Sequence, residues 1–307
     1  MITRGFFTLA TGNEEYYKFA SNLLKSYRLF NSKYPFAILC DRENKYTKDF
    51  DQVVLLDDVK NNYQDKFRIL IDAPYQEGIF IEPDCLIYRD IACFFDMLSK
   101  DSDLSSFGWN DGSLTVYFDS AERIIEKYGK KIETTPLFCP GYFFVRKGKV
   151  CEKLYQDANN IVQWIVDNNI TEDNPRLITR GNLVDDPIFF IAMRLNDCIC
   201  AAKPSKGKCI YLPRVNKIES ISLRKGQLDV VLEKEYTECN LLHFTTRRCM
   251  ENGLYRHQCI VLKMIIKKLP CFWIWVFESK LFIAIFNVVK RTKYALVHRI
   301  KKEYKHI

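Results

Sequence analysis

Apolar and polar positions change period repeatedly over the first hundred residues. Residues 5–10 (GFFTLA) form an apolar run of strand length, and Tyr16, Phe19, Ala20, Leu23, Leu24 and Tyr27 then recur at helical spacing. Between them Thr11-Gly-Asn-Glu14 has the form of a capping box, so a helix is expected from there to about Phe30. Residues 36–40 (FAILC) and 53–56 (VVLL) predict buried strands that end at Asp41 and at Asp57-Asp58. Residues 66–73 predict a helix and 79–81 the next strand. Such alternation predicts an α/β fold, a mostly parallel sheet with helices on both faces. Ligands of these sheets sit at the carboxyl ends of the strands, and Thr11-Gly12, Asp41, Asp57-Asp58 and Glu82-Asp84 all fall on that edge.

Farther along, residues 114–118 and 141–145 (GYFFV) predict strands on either side of a helix that starts near Ser120 and stops at Gly129. Residues 150–168 predict an amphipathic helix with Val150, Leu154, Ala158, Ile161, Val162 and Ile165 on one face. Asp186-Pro187 opens another helix to Leu195, the acid as N-cap and the proline at the first helical position. Strand-like residues return at 209–212 and 240–244, with no internal repeat and no low-complexity segment.

A chain of 307 residues has room for one large α/β domain and an appendage. Its 48% hydrophobic and 14% aromatic content excludes a mainly disordered protein. The formal charge of +8 is uneven: residues 263–307 hold eleven Lys/Arg against Glu278 and Glu303, leaving 35 basic and 36 acidic residues for the other 262. The N-terminal apolar run is too short for a signal peptide, so the twelve cysteines are expected as thiols in a reducing cytoplasm. No CxxC pair occurs. Cys239, Cys249 and Cys259 near His243 and His257 leave a zinc site conceivable, but the expectation is buried small hydrophobes.

Two charge-free apolar runs, 269–277 and 281–289, flank Glu278-Ser-Lys280 and together reach bilayer length. Twelve Leu/Ile/Phe/Val residues favour insertion by about 5 kcal/mol, and a central Glu and Lys oppose it by about 5–7 kcal/mol. Lysines lie at both ends, so no orientation is specified. Phe272, Trp273, Trp275 and Phe277 between lysines predict a basic amphipathic segment lying in the interface of an anionic membrane; packing on the body and spanning are the alternatives. No recognition motif accompanies the basic tail, so no nucleic acid is expected as partner.

Within "GIFIEPDCLIYRDI" (78–91), Glu82 and Asp84 stand one residue apart where a core strand ends. Such a turn can offer oxygen ligands to Mg²⁺ or Mn²⁺, and taken alone it reads first as a solvated turn. The wider pattern is more specific. "RGFFTLATGNEEYYKFASNLLKSYR" followed by "YQDKFRILIDAPYQEGIFIEPDCLIYRDI" resembles the GT-A glycosyltransferases, family 8 above all. Phe7-Thr8-Leu9-Ala10-Thr11 matches the family's opening strand, Lys66-Phe67 its lysine helix, Phe80–Ile87 its metal motif with Glu82 replacing an Asp, and Leu241-Leu242-His243-Phe244 its late histidine strand. The likeness covers about residues 3–250 and is strongest over the first 95.

The resemblance implies a GT-A domain over 1–250; the segment 251–307 is expected from its own basic and aromatic pattern to be a helical, membrane-associating appendage. The resemblance also implies that Leu9, Thr11 and Gly12 line the nucleotide, and that Lys66 approaches the diphosphate or sugar. Glu82, Asp84 and His243 would hold Mn²⁺ or Mg²⁺, and Asp186 with Asp185 would stand near sugar and acceptor as the catalytic acids. Arg247 and Arg248 would replace the family's phosphate-binding lysine. The Asn-Ser-Gly segment of the family appears here as Pro140-Gly141-Tyr142, and its Asp-Gln pair as Asp186-Pro187. With no export signal expected and a basic aromatic tail, the expected protein is a cytoplasmic, peripherally membrane-associated enzyme. It would move a hexose from a nucleotide-diphosphate donor, UDP-linked in the expectation, to a glycan or lipid-linked acceptor with retention. An inactive GT-A domain acting as a membrane-bound interaction module is the alternative, and a nucleotidyltransferase a third. By residue type alone Lys66 reads also as a solvated helix lysine, His243 as a core histidine, and Asp186 and Thr11 as helix caps.

Overall fold

A computed structural model describes residues 3–31, 33–100, 102–114, 117–119, 121–138, 141–179, 181–201, 209–211, 215–232, 235–244 and 253–279. The first half contains β1 (Arg4–Ala10), α1 (Glu14–Phe30), β2 (Phe36–Cys40), β3 (Gln52–Leu55), β4 (Glu77–Ile81), β5 (Cys85–Ile87), α2 (Phe94–Leu98), β6 (Leu104–Ser105), β7 (Gly108–Ser113), α3 (Glu122–Tyr128), β8 (Thr134–Phe138) and β9 (Tyr142–Arg146). The second contains α4 (Lys149–Asp167), α5 (Ile170–Asp173), β10 (Ile178–Thr179), β11 (Asn182–Leu183), α6 (Asp186–Leu195), β12 (Cys209–Tyr211), β13 (Val215–Ser222), β14 (Gln227–Leu232), β15 (Glu235–Glu238), β16 (Leu241–His243), α7 (Gly253–Ile266) and α8 (Cys271–Glu278).

The central sheet has strand order β3-β2-β1-β4-β9-β6, parallel from β3 to β4 and antiparallel at β9 and β6. Adjacent strand residues point to opposite faces, so Phe6, Ile38 and Ile79 pack under α1 while Phe7, Leu39, Phe80 and Phe143 pack under α4 and α6. Helices therefore cover both faces, as the alternation predicts. The order reverses between β1 and β4, which opens a crevice at their carboxyl ends.

Helix α1 forms because Asn13 caps it, accepting from Glu15 N at 2.9 Å, with two glutamates in the first turn and Arg28 in the last. The capping role expected of Thr11 thus belongs to Asn13. Ser26, at 3.0 Å from Ile87 N, ties α1 to β5. At the amino end of β4, away from the crevice, Glu77 is clamped by Arg4 (2.7 Å) and Arg146 (3.0 Å).

A small second sheet, β12-β16-β5, lies beside the crevice. An antiparallel meander, β13-β14-β15, is held to the body by Arg89, which reaches Glu238 (2.8 Å), Asp229 (3.1 Å) and the Gly226 carbonyl (2.9 Å). The sequence pattern does not announce this meander. Nor does it place β7: the expected strand at 114–118 is instead a turn at its described residues, Phe118 N bonding Leu114 O at 2.9 Å, and the strand falls on Gly108–Ser113. The expected boundary at 250 lies in the undescribed stretch 245–252. Beyond it α7 packs on the body, the Tyr255 ring 5.4 Å from Phe19 and 5.1 Å from Phe244. Among the described residues no helix is long and apolar enough to cross a membrane. The tail from residue 280 onward and Arg247 lie outside the described residues.

Candidate functional site

Strand β4 ends in a tight turn, Glu82-Pro83-Asp84-Cys85, closed by Cys85 N to Glu82 O at 3.1 Å with proline at the second position. Glu82 N bonds Gly141 O (2.8 Å) and Phe244 N bonds Asp84 O (3.2 Å), so the turn is pinned to β9 and β16. This geometry sends the two acids to different partners.

Glu82 pairs with Lys66, and Lys66 pairs also with Asp185. Lys66 lies on the short 3-10 helix Tyr63–Leu70, which starts and ends three residues before the helix expected over 66–73. Phe67 of that helix packs 5.2 Å from Phe189 of α6, which brings Lys66 against the start of α6. Burial alone would lower the Lys66 pKa, but Asp185, Glu82 and Asp186 outweigh it and hold the ammonium well above the ordinary lysine value. Burial pushes Glu82 up, against the pull of Lys66.

Asp186 does not cap α6. Asp185 takes the N-cap position without a capping hydrogen bond, and Asp186 is the first helical residue. Its carboxyl accepts from the Tyr117 hydroxyl at 2.7 Å. Burial and neighbouring Asp185 push its pKa up to about 7, despite Lys66 and Tyr117.

Asp84 meets His243, Oδ1 to Nε2, at 3.0 Å, and both side chains are buried. His243 faces Cys85 across the β5–β16 pair, and one donor atom each from Asp84, Cys85 and His243 lie within 4.8 Å of one another. A β-carbon on Gly141 would stand 2.6 Å from His243 Nδ1, so glycine is what lets the imidazole sit there. Carboxylate, imidazole and thiol are all competent metal donors. Glu82, expected in that set, pairs with Lys66.

At the β1 end of the crevice Thr11 donates to Asp65 (3.1 Å) and Gly12 N to Asp41 (3.2 Å). Asp65 also accepts from Lys60 N (2.7 Å) and Asn61 N (2.8 Å), while Asp41 holds Tyr17 and Arg42. Gly12 has φ +67, and a β-carbon there would lie 2.7 Å from Asn61 Oδ1. Leu9 is half-buried beside them.

The fold thus gathers Lys66, Glu82, Asp185 and Asp186 in one network and Asp84 with His243 in an adjoining pair, while Leu9, Thr11 and Gly12 line the neighbouring strand end. Cys85, Asp65 and Tyr117 join the site without having been expected there, and Gly141, noted only as part of an altered family segment, proves to make room for His243. Cys85 had a local signal, since it directly follows Asp84. Tyr117 had none, because its contact spans 69 residues of sequence.

No family model and no curated protein matches the chain. Among solved structures, the crystal structure of the glycosyltransferase GlyE of Streptococcus pneumoniae TIGR4 is similar at 13% sequence identity with a TM-score of 0.40, over 66% of this chain and 46% of that one. This chain accordingly spans less than half the length of that protein.

Proposed function

We propose that the protein is a metal-assisted glycosyltransferase of the GT-A type, resembling family 8, which moves a hexose from a nucleotide-diphosphate sugar to a glycan or lipid-linked acceptor with retention. The observation that carries this reading is the meeting of Asp84 and His243 at 3.0 Å, beside the Lys66–Glu82–Asp185 network, on the carboxyl edge of the sheet. Four carboxyl groups there face one ammonium and one imidazole. Such an excess of buried acid favours a bound cation or a proton.

The donor set fits a divalent ion, with Asp84 and His243 as the holding residues and Mn²⁺ or Mg²⁺ as the expected ion. When bound, that ion supplies Lewis-acid neutralisation of charge on the departing diphosphate. Lys66 adds a fixed positive charge on the same side, and Arg247 is proposed as a further phosphate contact. Asp185, held by Lys66, and Asp186, held by Tyr117, would orient the donor sugar. Leu9, Thr11 and Gly12 would line the nucleotide, UDP in this reading.

A second reading has one observation in its favour. Glu82 is spent on Lys66, which leaves the donor set one carboxylate short and suits an inactive domain used for interaction.

Nucleotide sugars are to be screened with Mn²⁺ for release of free nucleotide diphosphate, on the native chain and on Asp84→Ala. Mn²⁺-dependent release that the substitution abolishes supports the transferase. Nucleotide binding indifferent to Mn²⁺ and to Asp84→Ala favours the inactive domain, and release of pyrophosphate would reassign the chain as a nucleotidyltransferase.

A further inference from the structure

Helix α8 is tied down along one side only. Ile274 is buried, His257 Nε2 hydrogen-bonds the Phe277 carbonyl, and Glu278 accepts from Ser222 Oγ (2.9 Å) and Arg224 N (3.3 Å). The Arg224 guanidinium stands 3.7 Å from the same carboxylate, whose side chain is only 7% exposed. The other side is bare: Phe272, Trp273 and Trp275 are 62%, 54% and 56% exposed. Ile266 and Leu269 extend the patch onto the preceding corner. Among the described residues, five of the nine exposed large hydrophobics fall between 266 and 275, so this is a surface and not scatter.

Its border is basic. Lys263, Lys267 and Lys268 are all exposed, and the only acid between 253 and 279 is Glu278, which is turned into the body. Lys268 closes α7 in the left-handed region (φ +53), with Lys268 N to Ile265 O at 2.9 Å and Leu269 N to Met264 O at 3.1 Å. Glycine is the usual residue at that position, so a lysine is kept at the corner against its backbone preference. In sequence, residues 280–307 add eight further Lys/Arg against Glu303.

We propose that the α7–α8 corner is a docking surface for an anionic lipid bilayer, with Phe272, Trp273 and Trp275 in the headgroup layer and Lys263, Lys267 and Lys268 on the lipid charges. Tryptophan beside lysine suits that layer, where one part of the ring meets hydrocarbon and the other meets water. The charge is complementary to acidic headgroups. Because Glu278 is bonded to the meander, α8 lies along the surface of the body. Nothing in this depends on the catalytic reading.

The test is co-sedimentation of the full chain with phosphatidylglycerol-containing vesicles and with pure phosphatidylcholine vesicles. Binding to the anionic vesicles alone is expected, with a blue shift of tryptophan emission. The triple substitution Phe272→Ser/Trp273→Ser/Trp275→Ser should abolish that binding, and Lys263→Gln/Lys267→Gln/Lys268→Gln should weaken it on the order of a hundredfold. All six positions are exposed, and an unchanged melting temperature of each variant confirms folding. The proposal is overturned if the native chain stays in the supernatant with both vesicles. It is equally overturned if the aromatic triple variant binds as well as the native chain. A native dimer that this variant converts to a monomer, with no vesicle binding, would make a second copy the occupant instead.

Discussion

Lys66 stands between two buried carboxylates, and no neutral side chain of similar length can replace its charge. Lys66→Met is expected to destabilise the fold by about 3–5 kcal/mol in urea unfolding, since Glu82 and Asp185 are left without their cation. A loss below about 1 kcal/mol would mean the acids simply take up protons. Asp186 gives a pH signature. Its folded pKa is raised from 3.8 to about 7, so the folded protein holds that proton more tightly than the unfolded chain does. The resulting stabilisation is complete below about pH 4 and is lost as pH rises through 7. Asp186→Asn keeps an acceptor for Tyr117 and should remove this decline, so its advantage in melting temperature over the native chain grows from pH 5 to pH 8. Equal differences at both pH values would refute the shift. Gly141→Ala places a methyl 2.6 Å from His243 Nδ1. It should cost about 1–3 kcal/mol and disrupt Mn²⁺ binding measured by calorimetry. At this scale Asp84 and His243 were legible as donors by type and order. That Glu82 would face Lys66 was not, because the turn at Pro83 decides where each acid points.

Among the elements, α1 and α4 were legible because each has a buried stripe at helical period and a polar remainder, and α6, buried all round from Pro187 to Met193, was legible from the Asp-Pro pair at its start. Strands β1, β2 and β4 were legible as short apolar runs that end in polar residues. Strand β7 was not, since GWNDGS has little strand propensity and is extended only because β8 pairs with it. The meander escaped notice for a related reason: β13 is half exposed and carries charges, and its buried side is completed by the cluster around Tyr88 and Tyr255. Helix α8 depends on one buried carboxylate. Glu278→Ala should speed amide exchange over 271–278 while lowering global stability by only about 1 kcal/mol. Unchanged exchange there would show that Ile274 and Phe277 suffice to hold the helix.

For the molecule as a whole, the sheet divides two large cores, and Phe143 lies in the one under α4 and α6, with ring centroids 5.1 Å from Phe138 and 5.0 Å from Phe189. Phe143→Ala is expected to cost about 3–5 kcal/mol in urea unfolding. Tyr236→Ala, at a ring 62% exposed on the meander, should cost little, and a comparable loss at both would contradict the division of burial seen here. The sequence by itself determined the mainly parallel α/β plan, the carboxyl-edge row of acids and the concentration of basic charge near the end, because periodicity, strand length and charge are local properties. Tertiary structure alone decided that Lys66 joins Glu82 to Asp185, that Asp84 meets His243 beside Cys85, and that Glu278 is an anchor of α8. Each of those contacts joins segments far apart in the chain, and only packing brings them within reach of one another.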